Sequence, residues 1–158
     1  MLTPDLLFSV ANSVAMVGWA LLVLAPRWRG TRAVVLSGAL PLLLAATYVG
    51  LIGYQTFAHP APGAGFGSLT EVAALFRQPW ALLAGWVHYL CFDLAVGSWE
   101  ARDARRRGVP HAVLVPCLLA TFMLGPLGLL LYCGLRQRWQ PALVPAAAVA
   151  RTMVQPTP

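Results

Sequence analysis

Apolar residues run through this chain in long blocks, separated by short polar or proline- and glycine-rich punctuation. The first block, about 6–24, follows Thr3, Pro4 and Asp5, carries Ser9, Asn12 and Ser13 inside it, and stops at Pro26. A second, about 33–53, contains Pro41, Thr47 and Tyr48. A third, about 80–101, starts after Pro79, a residue suited to the first helical turn. A fourth, about 112–135, contains Pro116 and then Gly125, Pro126, Leu127 and Gly128. A bilayer core about 30 Å thick takes about 20 apolar residues of helix to cross, so each block reads as a transmembrane helix. Proline is tolerated within such helices where neighbours satisfy the freed carbonyl, so Pro41 predicts a kink.

Between the second and third blocks, His59, Pro60, Pro62 and Gly63 mark residues 54–67 as a loop. Ser68 and Glu71 then have capping-box spacing ahead of an apolar run, which predicts a short interfacial helix over 68–78. The fold expected is all-α and polytopic: residues 1–138 form one bundle of four transmembrane helices plus the interfacial helix. The proline- and alanine-rich stretch 139–158 is expected to be a disordered tail. Residues 1–25 lack a basic leader and an Ala-x-Ala cleavage site, and read as the first span, not a signal peptide.

Composition supports the membrane reading. Of 158 residues, 59% are hydrophobic and 10% charged, against roughly 25% charged in a soluble domain. The net charge of +6 comes from eleven arginines without a lysine. Most lie in two short loops, where they act as topology determinants, so nucleic-acid binding is not expected. Four spans would put both termini on the side opposite those loops. The positive-inside rule then sets the loops in the cytoplasm and both termini outside a cytoplasmic (inner) membrane. Cys91, Cys117 and Cys133 have no metal-ligand spacing and read as small buried hydrophobes. Metal-protease, nucleophile-elbow, phosphate-loop and haem motifs are all missing from the sequence, so no cofactor is expected.

The candidate chemistry lies inside the third block. Asp93 and His88 are ionisable groups in a membrane helix, where an acidic residue costs roughly 2.5–3.5 kcal/mol on insertion scales. Their separation of five residues is about 140° around the helix, so they do not stack. Trp86, Tyr89, Asp93, Gly97 and Glu100 share one face by their spacing, with His88 turned to a neighbouring groove. At 1.5 Å per residue, Asn12, Thr47 and His88 lie near the outer end, and Asp93 sits level with Thr121. A polar pocket narrowing from Asn12, Thr47 and His88 to Asp93 is the expectation. Glu71 is either the capping carboxylate or, with Arg77, part of a segment closing the mouth. Glu100, Arg102 and Asp103 read as a solvated cluster at the boundary. Ala81 and Gly85 have the small-residue spacing that packs a partner helix, compatible with a homo-oligomer.

Trp86, His88, Asp93 and Leu94, followed by the stretch from Pro116 through Gly125, Pro126 and Gly128 to Tyr132, resemble the abscisic-acid-deficient-four-like membrane proteins. Gly67, Ser68, Leu69 and Val72 and the asparagine-containing first span are similar too. The resemblance covers about residues 5–136 and suggests a bacterial-type member. It implies a redox-neutral rearrangement of a carotenoid epoxide, violaxanthin, to an allenic alcohol, neoxanthin. That chemistry needs an acid at the epoxide oxygen and a base for a neighbouring carbon-bound proton. By the resemblance, Asp93 and His88 are the acid/base pair, Glu71 or Arg77 orients the polar end-group, and Asn12, Thr47, Trp86, Tyr89 and Thr121 line the substrate site. The expected function is a membrane-embedded isomerase acting on a carotenoid or similar lipophilic terpenoid, surrounded by membrane lipid. Its rivals are a non-catalytic lipid- or pigment-binding protein and a small proton or ion pathway.

Overall fold

A computed structural model describes residues 3–60 and 62–139, and every element in them is helical. Helix α1 is Pro4–Leu24. It starts because Thr3 caps it, its hydroxyl accepting from the Leu6 amide at 3.3 Å with Pro4 in the first turn. It ends at Ala25, ahead of Pro26, whose ring disfavours helical geometry in the residue before it. A short turn, α2 (Arg29–Thr31), runs into a π-helical turn, Arg32–Leu36. Helix α3 is Ala39–Ala58, α4 is Leu69–Phe76 and α5 is Pro79–Arg107. Helices α6 (His111–Leu124) and α7 (Pro126–Leu135) close the described fold, with a short 3-10 turn at Arg136–Arg138.

Three helical segments, Pro4–Leu24, Arg29–Ala58 and Pro79–Arg107, are long and apolar enough to cross a membrane. They pack as a three-helix core around α5. Contacts of Tyr54 with Trp80, Tyr48 with His88, and Pro41 with Cys91 run α3 antiparallel to α5. Phe8 against Trp86, Gly18 against Leu94 and Trp19 against Gly97 run α1 parallel to it. At Gly97 an added Cβ would lie 2.5 Å from the Trp19 ring. Small residues at such crossings let helices approach where lipid supplies no hydrophobic drive between them.

The expected fourth span is not one continuous helix. Residues 112–135 form two helices that break at Gly125, where φ is +38° and ψ −90°, a backbone setting that a Cβ disfavours. Fourteen and ten residues reach about 21 and 15 Å, well short of a core about 30 Å thick. The two helices lie side by side as a hairpin. Gly128 sits so close to Thr121 that a Cβ there would fall inside the Thr121 backbone. The hairpin enters and leaves at one end of the bundle. His111 at its start bonds the Val23 carbonyl at the end of α1 (2.9 Å), and Arg136 at its finish bonds Asp103 near the end of α5.

The start of α1 and the end of the described fold lie at opposite ends of the bundle, and the chain's last residues lie outside the described ones. Pro4 lies beside Pro79 at one end, whereas Arg136 lies beside Asp103 at the other. The expected kink at Pro41 is displaced as well. The chain is interrupted at Gly38 (φ +90°), which leaves Pro41 in the first turn of α3, where its missing amide costs little. The expected tail lies outside the described residues, apart from Trp139. Helix α4 forms as the capping spacing predicts: Ser68 Oγ accepts from the Glu71 amide at 3.2 Å. Phe76 of α4 lies over Gly85 and Ala81 is buried, so the pair expected to meet a partner helix is covered from within.

The hairpin makes a topological prediction. In a chain whose three cysteines are replaced, Arg106→Cys and Arg138→Cys should react with a membrane-impermeant maleimide from the same face. Gly63→Cys should react from the other face. Labelling of Arg138→Cys alongside Gly63→Cys would restore a continuous fourth span.

Candidate functional site

Helix α5 carries the polar residues, and its 3.6-residue period sorts them onto different faces. Trp86, Tyr89, Asp93, Gly97 and Glu100 face α1 and the hairpin. The Trp86 indole N–H donates to Asn12 Oδ1 of α1 (3.2 Å), and Asn12 Nδ2 in turn donates to the Phe8 carbonyl (2.8 Å). The rings of Phe8, Trp86 and Tyr89 follow one another with centroid separations of 5.7 and 5.4 Å. They descend from a mostly apolar cleft of about 250 Å³ between Pro4, Asp5, Phe8, Pro79, Leu82, Leu83 and Trp86. The ladder of rings ends at Asp93.

Asp93 meets the tip of the hairpin. Its Oδ1 lies 2.8 Å from where a Gly125 Cβ would stand, so only glycine admits the carboxyl group there. Gly125 closes α6 and opens α7, so both helix ends converge on this point. Tyr89 bridges to the end of α6, its hydroxyl within 3.2 Å of the Phe122 carbonyl and 3.5 Å of that of Met123. The N-terminus of α7 presents partial positive charge next to Asp93. Such an end favours a nearby acidic group by about 0.3–1 kcal/mol, a fraction of the insertion cost of roughly 2.5–3.5 kcal/mol. Asp93 Oδ2 is buried and has no hydrogen-bond partner among the described residues. Buried polar groups are normally partnered, so this unpartnered oxygen marks Asp93 as the candidate functional group.

The structure brings Asn12, Trp86, Tyr89 and Asp93 together and separates them from the other residues expected in the pocket. His88 faces α3, with its ring edge-on to Tyr48 at 5.3 Å and stacked on Phe92 at 4.6 Å. Thr47 also belongs to α3 and bonds back to the Leu43 carbonyl (2.9 Å). The expected funnel from Asn12, Thr47 and His88 to Asp93 is therefore not formed, because α5 stands between its two walls. Glu71 Oε2 accepts from the Gly67 amide (3.0 Å), which ties the loop to α4, and Arg77 is exposed at the end of that helix.

Thr121 does not meet Asp93. Its hydroxyl donates to Glu100 Oε1 at 2.9 Å, and both residues are fully buried. Glu100 is thus no part of a solvated cluster: it is sealed between α5 and α6, with Oε2 unpartnered among the described residues. Its seven-residue spacing from Asp93 had already put it on the same face. Asp103, too, is engaged by other side chains. Its Oδ2 accepts from Arg107 Nε (2.7 Å), the Tyr132 hydroxyl (2.8 Å) and Arg136 Nη1 (3.1 Å), while Arg136 covers the Trp99 ring at 5.1 Å. Arg102 is half-buried and donates to the Leu36 carbonyl at 2.8 Å. The hairpin tip itself went unread in the sequence, although Gly125-Pro126 is a turn signal.

The Glu100–Thr121 bond is open to a double-mutant cycle. Thr121→Val and Glu100→Met should each destabilise the protein by about 1–3 kcal/mol in detergent unfolding. The double variant should recover about 1 kcal/mol of coupling, and additive losses would show that the two groups do not act as a pair.

The family ABA4-like, described as ABA DEFICIENT 4-like, matches residues 6–132, and the chain belongs to it. The match runs from the start of α1 to Tyr132 and so includes the ladder, Asp93 and the hairpin tip. No curated protein and no solved structure matches the chain.

Proposed function

We propose that this member of the ABA DEFICIENT 4-like family binds a carotenoid or similar lipophilic terpenoid along the Phe8–Trp86–Tyr89 ladder and isomerises its polar end at Asp93. The observation that carries the reading is the open, buried oxygen of Asp93 at the foot of three successive aromatic rings. A polyene is long, apolar and flat, and stacks on such rings with its end-group directed to the hairpin tip. Family membership is consistent with a carotenoid-related role.

The chemistry is the redox-neutral rearrangement of an epoxide to an allenic alcohol. Asp93 takes the proton from the carbon next to the epoxide, the electron pair becomes the new double bond, and the carbon–oxygen bond breaks. The Tyr89 hydroxyl gives its proton to the oxygen and recovers one from Asp93, so protons and electrons balance. Tyr89 replaces His88 as the partner of Asp93, since the two lie one turn apart on one face. Asn12 holds the Trp86 ring in place through its indole N–H. A protein that only holds pigment would use the same ladder without the proton transfers.

We also read the arginine-rich end as cytoplasmic. Among the described residues Arg27, Arg29, Arg32, Arg102, Arg105, Arg106, Arg107, Arg136 and Arg138 lie at that end, against Arg77 at the other. On this reading the chain's start lies outside and residue 139 inside.

In a bacterium that accumulates violaxanthin, the chain should yield an isobaric allenic product on pigment extraction. Asp93→Asn should cut that product by a hundredfold or more at equal membrane levels while pigment still co-purifies. His88→Ala should stay within about threefold of the parent. Unchanged violaxanthin bound to the purified protein would support the binding role over catalysis.

A further inference from the structure

The arginine-rich end contains a pocket of about 450 Å³ lined by Arg32, Leu36, Ser37, Arg102, Arg105 and Arg106. Four guanidinium groups around one pocket repel each other, and the chain's carboxylates are all committed elsewhere. Asp5 and Glu71 belong to the opposite end, and Asp93 and Glu100 lie within the bundle. Asp103 is taken by Arg107 and Arg136, the two ion pairs among the described residues. The charge of this pocket is therefore left for an anion from outside the chain.

Arg32, Arg105 and Arg106 are exposed around the pocket, and Arg102 is half-buried and fixed in place. The interruption at Gly38 frees the Leu36 carbonyl from helical pairing, and Arg102 Nη1 takes it up at 2.8 Å. That bond anchors the Arg102 guanidinium at the pocket floor and leaves its remaining N–H groups to an incoming ligand. The π-helical turn sets Arg32 and Leu36 on this wall, and π turns are frequent at functional sites. The last turns of α5 supply Arg105 and Arg106 from the other wall. Guanidinium forks match phosphate oxygens in shape as well as charge.

A second cavity, of about 350 Å³, adjoins the first and shares Leu36 and Arg105 with it. Its other walls combine Arg27 and His111 with Leu22, Ala101, Val109 and Leu114, so apolar side chains stand beside the arginines. Apolar side chains next to a cationic pocket fit an amphiphile better than a soluble anion. We propose that Arg32, Arg102, Arg105 and Arg106 bind the phosphate of an anionic phospholipid, with part of its acyl chain along Leu22, Ala101 and Leu114 of the adjoining cavity. The site lies at the opposite end of the bundle from the ladder's cleft and is independent of the isomerase reading.

Native mass spectrometry of the full chain, released from neutral detergent, tests this with three probes: phosphatidylglycerol, phosphatidylcholine and glycerol 3-phosphate. Phosphatidylglycerol should be retained at least tenfold better than phosphatidylcholine. The double substitution Arg105→Gln, Arg106→Gln should abolish that preference without changing the thermal unfolding of the protein. Arg29→Gln with Arg138→Gln, which removes equal charge at the same end but outside the pocket, should leave it intact. Equal retention of the two lipids, or equal loss in both double variants, would overturn the site in favour of diffuse surface charge. Displacement of phosphatidylglycerol by glycerol 3-phosphate at equal concentration would overturn the lipid assignment and leave a soluble phosphate ester as the ligand.

Discussion

One carboxylate oxygen, Asp103 Oδ2, holds the geometry together. It receives Arg107 from its own helix, and Tyr132 and Arg136 from the end of the hairpin. Charge-assisted bonds of this kind are shorter and stronger than neutral ones, and the Trp99 ring beneath Arg136 adds a cation–π contact. The clamp fixes where α7 ends. Gly128 then seats α7 against Thr121 of α6, and the hairpin's length fixes where its tip stands, beside Asp93. The candidate site is thus positioned from the charged end of the bundle, through packed helix, by a residue remote from it in sequence.

Much of this was legible in the residues. The apolar blocks gave the three spans, because bilayer thickness demands length before anything else. The spacing on α5 put Trp86, Tyr89, Asp93, Gly97 and Glu100 on one face and turned His88 away, as the helical period requires. The Ser68 cap was readable because capping depends on local chemistry alone. What could not be read from period or hydropathy was the reversal at Gly125. Residues 112–135 have the apolar content of a span, and hydropathy does not distinguish a helix that crosses from two that turn back. Only the positive φ at Gly125 and the close approach at Gly128 make that distinction, and both are tertiary facts. Once the fourth span was assumed, Thr121 was given the wrong partner and Glu100 the wrong environment.

The hairpin also resolves the arginine distribution. With four crossings, Arg136 and Arg138 would stand opposite the other arginine loops and weaken any charge asymmetry. With a returning hairpin they join the same end, and the two loops and the last described turn become one basic surface. The same reversal supplies Asp103 with two cationic partners, so topology and ion pairing have a single cause.

A half-spanning hairpin has a use that a crossing helix lacks. A continuous helix buries its backbone polar groups in its own ladder, with nothing to offer a ligand at mid-membrane. A reversal exposes two helix ends there: carbonyls at the end of α6, which the Tyr89 hydroxyl meets, and the positive end of α7, which faces Asp93. Irregular backbone at membrane depth is tolerated where protein surrounds it or a cavity is lined by it; Gly125 is buried against Asp93 of α5, while Met123, Leu124 and Leu127 beside it are exposed. Asp93 is a carboxyl group within a long apolar helix. The hairpin tip brings backbone dipoles to it without adding a charge, which is how a chain this small maintains a polar centre beneath a mostly apolar cleft.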